Sequence, residues 1–222
     1  DAIENPSRID GLFIERAMVK SSEMLSVLSA EAPINSPILT DGGAFYQLQE
    51  EMRSAFECTV VDLPRNMLVL HPHLMTDIQV AVVVTELTLA AARDTIRILS
   101  WMKSNAPQTQ VVVVANRVQP TAQLEISRKD FEGSIERKID FMVPFDQKLA
   151  AQSAKLGKPL TEAGKGSKTI VPIVDLATKL MAVGDSAEPI DSATKKKVGA
   201  KGPSLMGKFD FKSLISRPAK KK

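Results

Sequence analysis

Three short runs of the chain are almost purely apolar, at residues 58–61, 80–84 and 111–115. Valine dominates each, and none has the polar alternation of a half-exposed strand. That is the pattern of strands buried on both faces, as in a parallel sheet covered by helices. Residues 25–28 and 139–143 are two further strand candidates. Between the runs the apolar positions change to helical spacing. Phe45, Leu48, Met52 and Phe56 follow the capping candidates Thr40 and Asp41. Leu89, Ala92, Ile96 and Leu99 form a second stripe, with Arg93, Arg97 and Lys103 on other faces. Helices are also predicted over residues 127–138, 146–156 and 171–183. Strand then helix, repeated, predicts right-handed βαβ units and an open, mostly parallel α/β sheet with flanking helices.

Composition sets the scale of this fold. At 222 residues and 44% apolar content, the chain suits one domain with a sizeable core and a tail. Aromatics are only 5%, so aliphatic side chains must do most of the packing. Cys58, the lone cysteine, lies inside an apolar run and reads as a small buried hydrophobe. A single thiol excludes an internal disulfide framework and fits a reducing compartment. Residues 1–184 are predicted to form the domain and residues 185–222 a flexible basic tail, marked by Pro189, Gly199, Gly202 and clustered lysines. That tail holds ten Lys or Arg against four Asp or Glu, a net of +6, whereas the preceding 184 residues carry a net of −3. The body is therefore not a nucleic-acid surface on charge grounds, and DNA is not an expected partner. Phe209, Phe211, Leu214 and Ile215 lie among the tail lysines. Such a mixture can bind an anionic membrane surface or dock onto a partner, although the apolar residues form no clean amphipathic face. No run approaches the ~20 apolar residues of a membrane-spanning helix. The start lacks the basic and apolar regions of a signal peptide, and the first residue is Asp1 rather than Met, which predicts a piece of a longer chain.

In an open parallel sheet, ligands bind beyond the carboxyl ends of the strands. The polar residues that follow each apolar run are therefore the candidates: Asp62, then Thr85-Glu86, then Asn116-Arg117, then Pro144-Phe145-Asp146. A carboxylate ending a buried run, as Asp62 does, fits a Walker B acid that holds Mg²⁺ through water. It equally fits a helix cap or a partner for Arg65. Asn116 has an amide able to donate to and accept from an adenine edge, or to close an Asx-turn. Arg117 either stacks on a base or is simply solvated, and solvation is the default. His71-Pro72-His73 has no neighbouring cysteine or carboxylate cluster, so it reads as a loop or short helix rather than a metal site.

The order Val-Val-Asp62-Leu63-Pro64-Arg65, Val-Val-Val84-Thr85-Glu86, Val-Ala-Asn116-Arg117 and Val-Pro144-Phe145-Asp146 resembles the MinD/ParA-type deviant Walker ATPases. The Asp-Leu-Pro-Arg version, with Asn5-Pro6-Ser7-Arg8-Ile9-Asp10 upstream, is similar to the CpaE/TadZ pilus assembly proteins. The resemblance covers about residues 1–183. It implies a P-loop NTPase-like domain with ATP and Mg as cofactors. Asp62 would be the Mg-positioning acid and Asn116 the adenine contact with Arg117 beside it. Pro144 and Asp146 would line the base pocket. It also implies a cytoplasmic, nucleotide-dependent homodimer that recruits Flp/Tad pilus assembly proteins at the inner membrane or the cell pole.

One departure bears on activity. The sequence contains no G-x-x-x-x-G-K-[ST]. The nearest imitation, Gly164-Lys165-Gly166-Ser167-Lys168-Thr169, has the wrong glycine spacing and follows no buried run, so it is predicted as a loop before the last helix. Without a cradle of backbone N–H groups and a lysine, a triphosphate has little to hold it. The chain alone is thus expected not to hydrolyse ATP. A pseudo-ATPase scaffold is one alternative, and a ParA-like partition protein is another.

Overall fold

A computed structural model describes residues 9–29 and 42–186. The capping candidates Thr40 and Asp41, the motif at residues 5–8 and the tail beyond residue 186 lie outside them. The chain divides into two compact units, residues 1–78 and 79–222.

In the first unit, helix α1 (Gly11–Ala17) starts where the Asp10 carboxylate accepts a hydrogen bond from the Phe13 N–H at 2.7 Å. It leads into an antiparallel hairpin of β1 (Val19–Ser22) and β2 (Leu25–Val27). Helix α2 (Gly43–Ala55) carries the predicted stripe, and its Ala44, Leu48 and Met52 pack with Ile9 and Ile14. Gly42 precedes it at φ +88°, and a Cβ there would lie 2.3 Å from Cε1 of His73, so only glycine fits. A short helix α3 (Arg65–Leu70) and a 3-10 turn (Pro72–Met75) close the unit.

Two expectations are corrected here. Residues 25–28 supply β2 of a hairpin rather than a strand of a parallel sheet. Residues 58–61 are not a buried strand: the segment between α2 and α3 has no regular structure, Cys58 is exposed, and Val60 is 87% exposed. The physical reason is pairing. A valine run becomes a strand only where a neighbour accepts its backbone hydrogen bonds, and none of the described strands pairs with it.

The second unit holds β3 (Val80–Thr85), β4 (Gln110–Val118) and β5 (Phe141–Pro144), all parallel in the order β3-β4-β5. Its central strand is buried on both faces. Val113 and Ala115 pack with Ala92 of α4 (Leu89–Asn105) and Phe131 of α5 (Arg128–Ser134). Val112 and Val114 pack with Val143 and, from α8 (Val171–Ser186), with Ile173 and Leu176. Alternate side chains of one strand thus require helices on opposite sides, which gives the predicted open α/β sheet with flanking helices. Each such fully buried valine contributes about 1.5–3 kcal/mol.

Capping fixes where these helices begin. The Thr88 hydroxyl accepts from the Ala91 N–H at 3.1 Å to start α4. Asp146 does the same for Leu149 at 2.9 Å to start α6 (Gln147–Leu156), which ends at Gly157 with φ +60°. A single turn, α7 (Leu160–Ala163), follows. Helix α5 is shorter than the predicted 127–138, because Glu136 takes φ +53° and the chain folds back.

That fold-back serves Glu132, a carboxylate only 7% exposed. It accepts hydrogen bonds from Lys138 Nζ at 2.8 Å, Arg128 Nε at 2.8 Å and the Ile139 N–H at 3.0 Å. Next in the chain, Asp140 accepts from the Val113 N–H at 2.9 Å and from Lys179 at 2.7 Å, pinning the start of β5 to β4 and α8. Burial alone would raise the Asp140 carboxyl, but Lys179, the Val113 N–H and Arg137 together hold it below its ordinary value. For Glu132, Lys138 first, then Arg128 and the Ile139 N–H lower the carboxyl from 4.5 to about 2. A folded-state value below the unfolded one means stability fully present above pH 4.5 and lost as pH falls towards 2. In urea melts between pH 6 and pH 2, Glu132→Gln is expected to flatten that acid limb relative to wild type. An unchanged limb would show that the cluster does not stabilise the fold.

Candidate functional site

The carboxyl tips of the three parallel strands meet at an irregularity in β4. Thr85 pairs with Ala115 in the last step between β3 and β4. Between β4 and β5, Ala115 pairs with Met142 but Val118 pairs with Pro144, so β4 carries an extra residue around Asn116 and Arg117. A bulge of this kind twists a strand and re-aims its side chains. Arg117 sits at φ +53°, a left-handed conformation that costs a non-glycine residue about 1–2 kcal/mol.

Several contacts offset that strain. Asn116 Oδ1 accepts a hydrogen bond from the Arg117 N–H at 2.9 Å. The Arg117 guanidinium donates to Glu86 Oε1 at 3.3 Å and lies over the Phe145 ring at 5.7 Å. The Phe145 N–H in turn donates to the Val118 carbonyl at 2.9 Å. Residues leaving β3, β4 and β5 are thereby tied together through one arginine. Both partners of the ion pair are well exposed, at 62% for Arg117 and 46% for Glu86, so its own contribution is about 0–1 kcal/mol. Its effect is orientation more than stability.

Four of the sequence candidates, Asn116, Arg117, Pro144 and Asp146, share this rim. Asn116 is half-buried, while Arg117 and Pro144 are exposed. Asp146 is occupied within the fold: Oδ1 caps α6 and Oδ2 accepts from the Thr169 hydroxyl at 3.2 Å. It shapes the loop after β5 and is not a free ligand group. Thr85 is likewise internal, its hydroxyl 2.9 Å from that of Thr95, with both residues buried. Asp62 belongs to the first unit, exposed in the irregular segment before α3. The glycine-containing segment at residues 164–169 is a turn before α8, as its spacing predicts.

Beside the bulge, between the tips of β3 and β4, opens a cleft of about 250 Å³ whose polar lining comes from Glu86, Thr88, Arg117, Gln119, Gln123 and Glu125. Glu86 and Phe145 as holders of Arg117 were not read from the sequence. Phe145 lies between two named candidates, but the Glu86–Arg117 contact joins residues 31 apart and leaves no local trace. Among the described residues no group of three or more His, Cys, Asp or Glu can hold a metal ion. His71 lies 5.2 Å from the Phe45 ring.

No protein-family model matches the sequence, and no curated protein does. Solved structures do. A ParA family ATPase from Chlorobium tepidum TLS superposes with a TM-score of 0.71 at 19% identity, over 81% of this chain and 74% of that one. The chain has the ParA/MinD type of P-loop NTPase fold. The MinD cell division protein of Aquifex aeolicus gives 0.62 at 19% identity, over 82% of this chain and 79% of that one. A chain of the MinC:MinD cell division protein complex of the same organism gives 0.60 at 19% identity, over 89% of this chain and 81% of that one. Such low identity speaks for the fold alone.

The rim brings together a half-buried amide at Asn116, an arginine and an aromatic ring. The bulge itself is testable through Arg117. A glycine tolerates φ +53°, whereas alanine does not. Arg117→Gly is therefore expected to be more stable than Arg117→Ala by about 1 kcal/mol in urea titrations. Equal stabilities would contradict a left-handed residue at this position.

Proposed function

We propose that this chain is a nucleotide-dependent, ParA-like assembly or localisation factor that takes the adenine end of ATP at the tips of β4 and β5. The observation that carries this reading is Asn116, held at a bulged strand end in a fold shared with ParA and MinD. Asn116 contacts the base, Arg117 flanks it, and Pro144 and Asp146 set the loop below it, while Asp62 is assigned to Mg²⁺ by its sequence motif alone. Residues 1–184 constitute the ParA-like part, and residues 185–222 a basic tail that contacts an anionic membrane surface. The run Asp62-Leu63-Pro64-Arg65 favours the CpaE/TadZ branch, hence assembly of Flp/Tad pili by a nucleotide-bound homodimer at the cytoplasmic side of the inner membrane or at the pole. A structural neighbour is itself a complex of MinD with MinC, which supports partner recruitment as the output.

A second reading, a scaffold that binds partners without turnover, is favoured by one observation. The sequence has no G-x-x-x-x-G-K-[ST], and the segment at residues 164–169 is a turn whose Thr169 is engaged by Asp146. Equilibrium binding of ATP with and without Mg²⁺ tests the assignment. Asn116→Ala is expected to weaken ATP about tenfold with or without Mg²⁺, the loss of one paired amide–base contact. Asp62→Ala should remove only the increment that Mg²⁺ adds. Wild-type affinities in both variants would reject the site. Asp62-dependent turnover would favour the ATPase, and binding without turnover the scaffold.

A further inference from the structure

The stretch from α6 to the turn before α8 is charged unlike the rest of the folded chain. Residues 147–168 hold five lysines and one glutamate, a net of +4, while the remainder of residues 1–184 carries a net of −7. Lys148 and Lys155 lie seven apart on α6 and so share one face of that helix. Both are exposed, as are Lys165 and Lys168 on the turn before α8, and among the described residues none of the four forms an ion pair.

At the far end of α6 this charge meets exposed apolar surface. All of residues 154–160 are exposed. Leu156 is 53% and Leu160 37% exposed, and among the described residues neither joins a core cluster. They flank Gly157-Lys158-Pro159, with Lys155 alongside. The backbone of this turn is closed on itself. The Gly157 N–H donates to the Ala154 carbonyl at 3.2 Å and the Lys158 N–H to the Ser153 carbonyl at 3.1 Å, while the Lys158 carbonyl accepts from the Ser153 hydroxyl. Pro159 has no N–H to satisfy. A turn with its polar backbone engaged in this way can leave water without stranding those groups.

We propose that the α6–α7 turn is a membrane-contacting element: Leu156 and Leu160 enter the interface of an anionic bilayer, and the lysines beside them meet its headgroups. This rests on the membrane part of the reading above and adds a contact within the folded unit, separate from residues 185–222. Lys158 keeps Glu162 as a partner, so Lys148 and Lys155 supply most of the uncompensated charge next to the leucines. Lysines alone would suit the phosphates of a nucleic acid as well as those of a lipid. The leucines decide for the bilayer, because apolar side chains set among cations gain from the headgroup–acyl boundary and gain nothing from a phosphodiester backbone.

Co-sedimentation of the full chain with vesicles of phosphatidylglycerol and phosphatidylcholine tests this, with phosphatidylcholine vesicles as the control. Binding is expected to the anionic vesicles and not to the control. Leu156→Ser combined with Leu160→Ser should weaken it about tenfold. Lys148→Ala combined with Lys155→Ala should weaken it about twentyfold, at roughly fivefold for each lysine. As a second readout, Leu156→Trp in a Trp101→Phe background should shift its fluorescence to the blue when anionic vesicles are added. Wild-type binding by the leucine pair, or an unshifted Trp, would overturn the inference. If deleting residues 187–222 then abolished binding, the membrane part of the reading above would stand without it. Duplex DNA bound equally well by the wild type and the leucine pair, with no binding to vesicles, would overturn both in favour of a nucleic-acid surface.

Discussion

Strand β4 is buried from both sides, and the architecture of the second unit follows from that. Val112, Val113 and Ala115 have no exposed surface, so neither face of the strand tolerates solvent. One face requires α4 and α5, the other requires α8, and the strands beside it must run parallel for those helices to return across the sheet. Constraint of this kind also carries the site. A strand that cannot rotate or slide delivers its carboxyl tip to a fixed place, and a one-residue slip would exchange the two valine faces. Asp140, bonded to Val113 and Lys179, fixes β5 in the same register from its other end.

At the tip the order breaks in a controlled way. Burial ends at Ala115, and the next two residues depart from the ladder, one with its amide engaged and the other in a left-handed conformation. The rigid part of the sheet stabilises the strained part, a usual division of labour where a scaffold presents functional groups. The contacts at the rim are individually weak. Their value lies in geometry, because exposed ion pairs and ring contacts orient side chains at little gain in stability.

Much of this was legible in the sequence, for identifiable reasons. The valine runs at 80–84 and 111–115 became β3 and β4, since apolar continuity without alternation is what double burial demands. The helical stripes at 89–99 and 146–156 were legible, but the Thr88 and Asp146 caps that start them were not read, and the named capping candidates Thr40 and Asp41 lie outside the described residues. The run at 58–61 looked the same and is exposed, because a sequence states a residue's preference and not whether a neighbouring strand exists to meet it. The β1–β2 hairpin lacked a clear pattern, as its strands are short and mostly exposed. At the rim, the placement of Asn116 and Arg117 near the carboxyl end of β4 was legible. The bulge and the Glu86–Arg117–Phe145 contacts were not, because both arise from register and from pairing between distant segments.

The central claim is that the tips of β4 and β5 receive adenine. Its most direct test is a ¹H–¹⁵N titration of the labelled protein with an adenine nucleotide, following the side-chain NH₂ of Asn116 and the backbone amides of Arg117 and Phe145. The account predicts saturating shifts at these three positions, with none at residues on the opposite, amino-terminal edge of the sheet such as Gln110. Shifts confined to other regions, with these signals unmoved, would contradict it.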